Sequence, residues 1–260
     1  MGDLVEFPEP RASGSVGRPG CTRDHPIPAS GGSVSSPIIG TVASRRRPHG
    51  LLVAIEGLES PVRPRLADLL ARWLERRGRR VHIVPWEASR ALSRAAADPR
   101  TRPALSPRVA ALLVAAEAAQ VTAEQVGRPL AAGDAVVADR YAWTPIARAI
   151  ARHGDPAWHA ALYTPLPRPD LVVHLRTPIP AAVEEALDRT DDASAAGLGA
   201  GFGSFVAALG SAYDELASGA VPGPWPAPRL VLDGSVPVEH AARLARAAVR
   251  PLLDGSSGAS

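Results

Sequence analysis

LLVAIEGLESPVRPRL, residues 51–66, is the stretch whose reading decides the fold. Residues 51–55 form a continuous apolar run, the mark of a short strand buried on both faces. A loop containing Gly57, Pro61 and Pro64 follows. Leu66, Leu69, Leu70, Trp73 and Leu74 then recur at helical spacing until Gly78 stops them. Residues 81–84 read as a second strand, which completes a strand-loop-helix-strand unit. The first loop of such a unit is where a phosphate-binding loop, G-x-x-x-x-G-K-[ST], would lie.

Against that pattern the chain has Gly57-Leu58-Glu59-Ser60-Pro61-Val62-Arg63-Pro64. The first Gly is present, but Val62 replaces the second, Arg63 the Lys, and Pro64 the Ser/Thr. A phosphate loop works by aiming backbone N–H groups at phosphate oxygens. Pro61 and Pro64 have none to offer, and β-branched Val62 resists the positive φ that Gly takes freely. Pro64 also lacks the hydroxyl that would hold Mg²⁺. Arg63 keeps a cation, which can fork onto phosphate but is larger and differently hydrated than Lys. The alternative is a plain strand-to-helix turn, with Pro64 a tolerated helix starter.

Outward from this unit, residues 107–132 form a long helical stretch rich in Ala, Leu and Val, followed by strands at 135–139, 171–175 and 230–233. Helical patterns lie at 145–152, 156–163, 178–189, 205–217 and 237–253. Strands alternating with helices predict a parallel sheet covered on both faces, with ligands at the carboxyl ends of the strands. The loops after Ile55, Val84 and Asp139 are therefore the candidate site. Residues 190–204, rich in Gly, Ala, Asp and Ser, are expected to be mobile. So are residues 1–49, which are rich in Gly, Pro, Ser and Arg and are read as a disordered tail, and the tail 254–260.

Composition narrows the function classes. All 29 basic residues are arginine, and with abundant Ala, Gly and Pro this marks a compositional bias that can by itself put Arg where Lys is expected. The formal charge is +3. Residues 1–50 hold six Arg and four acidic residues, so 6 − 4 = +2 of it lies in the tail. A near-neutral domain makes nucleic acid an unexpected partner. Cys21 is the single cysteine, which excludes an internal disulfide or a cysteine-rich metal site. No apolar run approaches the roughly 20 residues of a membrane span, and no secretory signal is recognised, so a cytoplasmic protein with no membrane partner is expected.

The specific signal lies downstream, in SPRVAALLVAAEAAQVTAEQVGRPLAAGDAVVADRYAWTPIARAIARHG, residues 106–154. A long helix, a strand ending in Asp139-Arg140-Tyr141, and another helix resemble the middle of the thymidylate kinases. A diverged branch of that family carries Arg for the loop Lys and a T-x-x-A-R run after Asp-Arg-Tyr, matched here by Thr144-Pro145-Ile146-Ala147-Arg148. The resemblance covers about residues 51–252. It implies an α/β, P-loop NTPase-type three-layer fold: a five-stranded parallel sheet with helices on both faces, forming one domain over residues 50–253.

By the same resemblance, Asp139 would orient Mg²⁺ or the acceptor, and Arg140 would hold the acceptor phosphate, with Arg63 the further catalytic cation. Gly57, Glu59, Ser60 and Arg63 would make up the nucleotide loop. Glu87, Arg140, Tyr141, Thr144 and Arg148 would form the acceptor side. A buried ion pair with a packing ring is the structural alternative for Asp-Arg-Tyr, and a helix-start acid is the alternative for Glu87. The arginine that the family's long helix offers to the nucleobase is missing from residues 109–127, with Ala118 and Val121 near its place. The lid is poor in cations, since Asp191 and Asp192 follow Arg189.

Two readings follow. In the first, a kinase-like protein is catalytically impaired and binds a residual nucleotide, ATP or dTMP. In the second, an active dTMP or nucleoside monophosphate kinase uses ATP and Mg²⁺. No cofactor is expected under the first. Membership would also bring a homodimer packed through the long helix.

Overall fold

A computed structural model of the chain describes residues 50–86, 105–189 and 201–254. In chain order the elements are β1 (Leu51–Gly57), α1 (Val62–Glu75), β2 (Val81–Pro85) and α2 (Pro107–Thr122). After α2, a π-helical turn (Ala123–Gly127) leads into α3 (Arg128–Ala131), β3 (Ala135–Asp139), α4 (Trp143–Ile150) and α5 (Pro156–Leu162). β4 (Leu171–Arg176), α6 (Ile179–Asp188), α7 (Phe202–Ser218), β5 (Arg229–Asp233) and α8 (Val238–Asp254) complete the fold.

The sheet has five strands in the order β2-β3-β1-β4-β5, and every pairing is parallel. β1 is the centre and is buried at all seven positions, which is why it reads as an unbroken apolar run. Alternate side chains of β1 feed two cores. Leu52 and Ala54 face one that includes Ile146, Tyr213 and Leu216. Val53 and Ile55 face another that includes Leu66, Leu70 and Val249. Each fully buried Leu, Val or Ile contributes about 1.5–3 kcal/mol.

The chain reverses direction around the carboxyl ends of β1 and β3. β1 leaves by way of α1 to β2 on one side, and β3 crosses over β1 to reach β4. That crevice is where open parallel sheets bind ligands.

The long helix differs in two ways from its sequence reading. It is broken by the π-helical turn, with Pro129 just beyond. It is also more apolar than expected, because an 18-residue window of the Pro107–Ala131 run reaches a mean hydropathy of 1.2, enough by length and composition to cross a bilayer. Its buried residues include Glu117 and Thr122 beside Ala115 and Ala118, which suits one wall of a protein interior rather than a lipid-facing span.

Candidate functional site

The loop after β1 starts with Gly57, whose φ is +149°. A Cβ there would lie 2.4 Å from the Leu175 carbonyl oxygen of β4, so the position demands glycine for packing reasons alone. The Ser60 hydroxyl accepts from the Val62 N–H at 3.1 Å and closes the turn into α1. Of the first helical N–H groups, Val62's is thus engaged and Pro64 has none.

Arg63 is buried, and its guanidinium turns inward to an ion pair with Asp139 at the end of β3. It also lies 3.7 Å from Glu59. Glu59 is the hub of the cluster: it accepts a 2.6 Å hydrogen bond from Arg140 and has Arg189 at 3.8 Å. Burial alone would raise the Glu59 carboxyl, but Arg140, Arg63 and Arg189 outweigh it and hold it below its usual range. Burial, with Arg140 nearby, lowers Arg63 to about 10. The guanidinium of Arg63 is still charged at neutral pH.

Arg140 takes φ +69°, a strained value for a residue with a side chain. Its N–H donates to the Ile55 carbonyl at 2.8 Å, and the residue after it is pinned by Glu56. This carboxylate lies at the end of β1 and is almost fully buried. It accepts from the N–H groups of Tyr141 at 3.0 Å and Trp143 at 2.8 Å, and from the Thr144 hydroxyl at 2.7 Å. The Thr144 hydroxyl has the Tyr213 hydroxyl 2.7 Å away. Burial drives the Glu56 carboxyl up to about 7. Glu56 therefore fixes the turn that carries Arg140.

Beyond Arg140 opens a cavity of about 710 Å³. Its walls come from β2, α2, α4 and α5. Trp86, Tyr141 and Tyr163 give it aromatic faces, and Ala118 and Val121 line the wall of α2. Arg140, Arg148 and Arg152 bring positive charge, and Glu117 a carboxylate. Burial, and then Arg140, depresses the Arg148 guanidinium, which makes no ion pair among the described residues.

The structure thus brings together Glu59, Arg63, Asp139 and Arg140 as one ion cluster. It puts Arg140, Tyr141 and Arg148 on the cavity. Thr144 does not reach the cavity, because its hydroxyl is engaged by Glu56 and Tyr213 in the core. Ser60 is buried and caps its own loop. Glu87 lies outside the described residues, as do Asp191 and Asp192. Glu56 and Tyr213 were not singled out from the sequence. A carboxylate at the end of an otherwise apolar strand was the available signal for Glu56, and nothing local pointed to Tyr213.

Mg²⁺ and ATP belong to this fold's kinases, and the loop residues here do not fit them. Two prolines replace N–H donors, and no hydroxyl stands at position 64. The Asp139 carboxylate, the candidate metal ligand, is engaged by Arg63. The described residues contain no group of three or more His, Cys, Asp or Glu side chains suited to a metal ion.

Comparison with known proteins agrees with this architecture. The thymidylate kinase family model matches residues 55–195, more than half of the 260-residue chain. "Probable thymidylate kinase 2" of Saccharolobus solfataricus is 27% identical over 136 residues, covering 52% of this chain and 63% of that protein. "Probable thymidylate kinase" of Thermococcus gammatolerans is 32% identical over 139 residues, covering 50% of this chain and 67% of that protein. The chain thus spans slightly less than two thirds of the first relative's length and about two thirds of the second's. With the family model matched over most of the sheet and the parallel order β2-β3-β1-β4-β5 built around Asp139-Arg140-Tyr141, the chain belongs to the thymidylate kinase family.

Proposed function

We propose that this protein binds a nucleoside monophosphate of the dTMP type in the cavity and does not transfer a phosphoryl group to it. The observation that carries the reading is Arg63, buried in the phosphate loop and paired with Asp139 instead of being presented to a nucleotide. Phosphoryl transfer is positioning plus charge stabilisation. A loop with two prolines, no second glycine and a self-paired cation supplies little of either. The cavity, by contrast, keeps aromatic walls and the positive charge of Arg148, which has no ion pair among the described residues; these suit a base and a phosphate monoester.

Titration calorimetry of the full chain tests this. We expect dTMP to bind and Mg-ATP to give no heat at millimolar concentration. Arg148→Ala should weaken dTMP about tenfold or more, since a hydrogen bond to a charged group is worth about 1.5–3 kcal/mol. Micromolar Mg-ATP binding that Arg63→Ala abolishes would overturn the proposal in favour of an active kinase. One observation favours that second reading: Arg189 reaches the loop from the end of α6, as a lid cation would. ADP release in a coupled assay with dTMP and Mg-ATP would establish it.

A homodimer packed through α2 is part of the same proposal. Val109 and Leu112 are exposed large apolar residues on that helix, Leu112 at 50%. Ala116, Ala119 and Ala123 continue the same exposed stripe at spacings of three and four. Sedimentation velocity should show a dimer for the natural chain and a monomer for Leu112→Arg. A natural chain that sediments as a monomer at tens of micromolar rejects the dimer.

A further inference from the structure

The formal charge of the chain is small, yet the fold segregates it. α1 and α8 lie side by side and run in the same direction: Arg65 near the start of α1 is 4.0 Å from Glu239 near the start of α8, and further along Arg246 donates to the Leu69 carbonyl at 3.0 Å. Their carboxyl-terminal halves therefore meet. Five of the nine residues 72–80 are arginine, and Arg243, Arg246 and Arg250 add three more from α8. Glu75 is the single acid in residues 72–80 and 243–250, so these two stretches together carry 8 − 1 = +7. The crowding is direct enough that burial, followed by Arg76 and Arg77, depresses the Arg246 guanidinium.

Partners among the described residues account for only part of this charge. Arg77 stacks 4.0 Å over the Trp73 ring, and Arg79 donates to the Gly133 carbonyl. The nearby Asp134 carboxylate is held by His82 at 2.8 Å. Arg72, Arg76, Arg80 and Arg250 are exposed and have no ion pair among the described residues. Two helix carboxyl ends favour some cations, but two or three would serve that purpose. The patch also lies away from the cavity, because α1 leaves the carboxyl end of β1 and its last turn returns to the amino end of β2.

We infer that this face binds the phosphate backbone of a nucleic acid. Arginine forks match phosphate oxygens. Along α8 the seven residues from Arg243 to Arg250 cover about 10 Å, or roughly three nucleotides of a duplex strand at 3.4 Å each. A protein partner would require an apolar centre to the patch, and only Leu244 is an exposed large apolar residue on α8. An anionic membrane would require the apolar face of α8, but Ala241, Ala242, Ala245 and Val249 are fully buried in the core. The near-neutral sum of charges led to the opposite expectation because a sum contains no positions.

Fluorescence anisotropy of the full chain with a labelled single-stranded oligonucleotide of about 20 nucleotides tests the inference. Five to seven phosphate contacts predict that log K falls against log salt with a slope of about −3.5 to −5. Combining Arg72→Glu, Arg76→Glu and Arg250→Glu should weaken binding at least tenfold and make the slope shallower by about 2. Glu75→Arg should tighten binding severalfold, a gain that a misfolded variant cannot mimic. The inference is overturned if the natural chain does not bind at low salt or if the triple variant binds like it, which would move the contact to the arginines of residues 1–49. It is also overturned if Glu75→Arg gives no gain, or if phosphatidylserine vesicles are bound and the oligonucleotide is not.

Discussion

Replacing Gly57 with alanine will destabilise the protein by about 3 kcal/mol or more, through overpacking and backbone strain of about 1–3 kcal/mol each. The added Cβ would stand 2.4 Å from the Leu175 carbonyl oxygen. Leu175 is the register partner of Gly57 across the central β1–β4 pair, so the clash falls on ladder backbone and not on the tip of a side chain. The residue's φ of +149° adds strain for any L side chain. For a domain of this size the loss corresponds to about 6–12 °C in Tm. Urea denaturation measures it directly. A change below about 1 kcal/mol would mean that β4 moves aside and that Gly57 serves ligand binding rather than packing. The expected result gives this glycine a structural reason to be present that is independent of any role in binding phosphate.

The second large effect is a pH dependence centred on Glu56. Its carboxyl has a folded pKa of about 7 against an ordinary 4.5. Between those values the folded protein keeps a proton that the unfolded chain has released. Stability from this group therefore falls as pH rises from about 4.5 to about 7 and is level above that. Over this window the difference is worth about 3 kcal/mol, at 1.36 kcal/mol per pH unit. Glu56→Gln removes the titration while its amide oxygen still accepts from Tyr141 and Trp143. Its NH₂ donates to the Thr144 hydroxyl, whose own hydrogen can turn to Tyr213. The gap between variant and natural chain cancels the other titrating groups, the depressed His174 among them. Urea melts should show the two proteins close at pH 5 and Glu56→Gln the more stable at pH 7.5. Parallel curves across that range would mean that the three donors to Glu56 outweigh its burial and that it is ionised throughout.

These effects separate what each level of structure contributes. The departures from a phosphate loop at Pro61, Val62, Arg63 and Pro64 were legible residue by residue, because a missing N–H or hydroxyl is a covalent fact that no fold restores. The placement of Arg140 and Tyr141 at a strand's carboxyl end was equally legible, since the apolar run 135–138 ends there. Thr144 was misplaced by its motif. One turn into α4 a side chain can face either core or cavity, and only the packing of α7, which brings Tyr213 to it, decides which.

By itself, then, the sequence determined the parallel α/β sheet, the family and the departures of its first loop from the phosphate-loop pattern, because these rest on apolar periodicity and on the identity of neighbouring residues. The tertiary structure alone decided three further points. Arg63 folds back onto Asp139, 76 residues away in the chain. Glu56 becomes a buried hub whose donors lie 85 to 88 residues downstream. The packing of α1 beside α8 brings Arg246 up to the arginine-rich stretch 72–80, close enough that Arg76 and Arg77 act on its guanidinium. All three depend on contacts between residues distant in sequence, and such contacts exist only once the sheet has brought its crossover helices together.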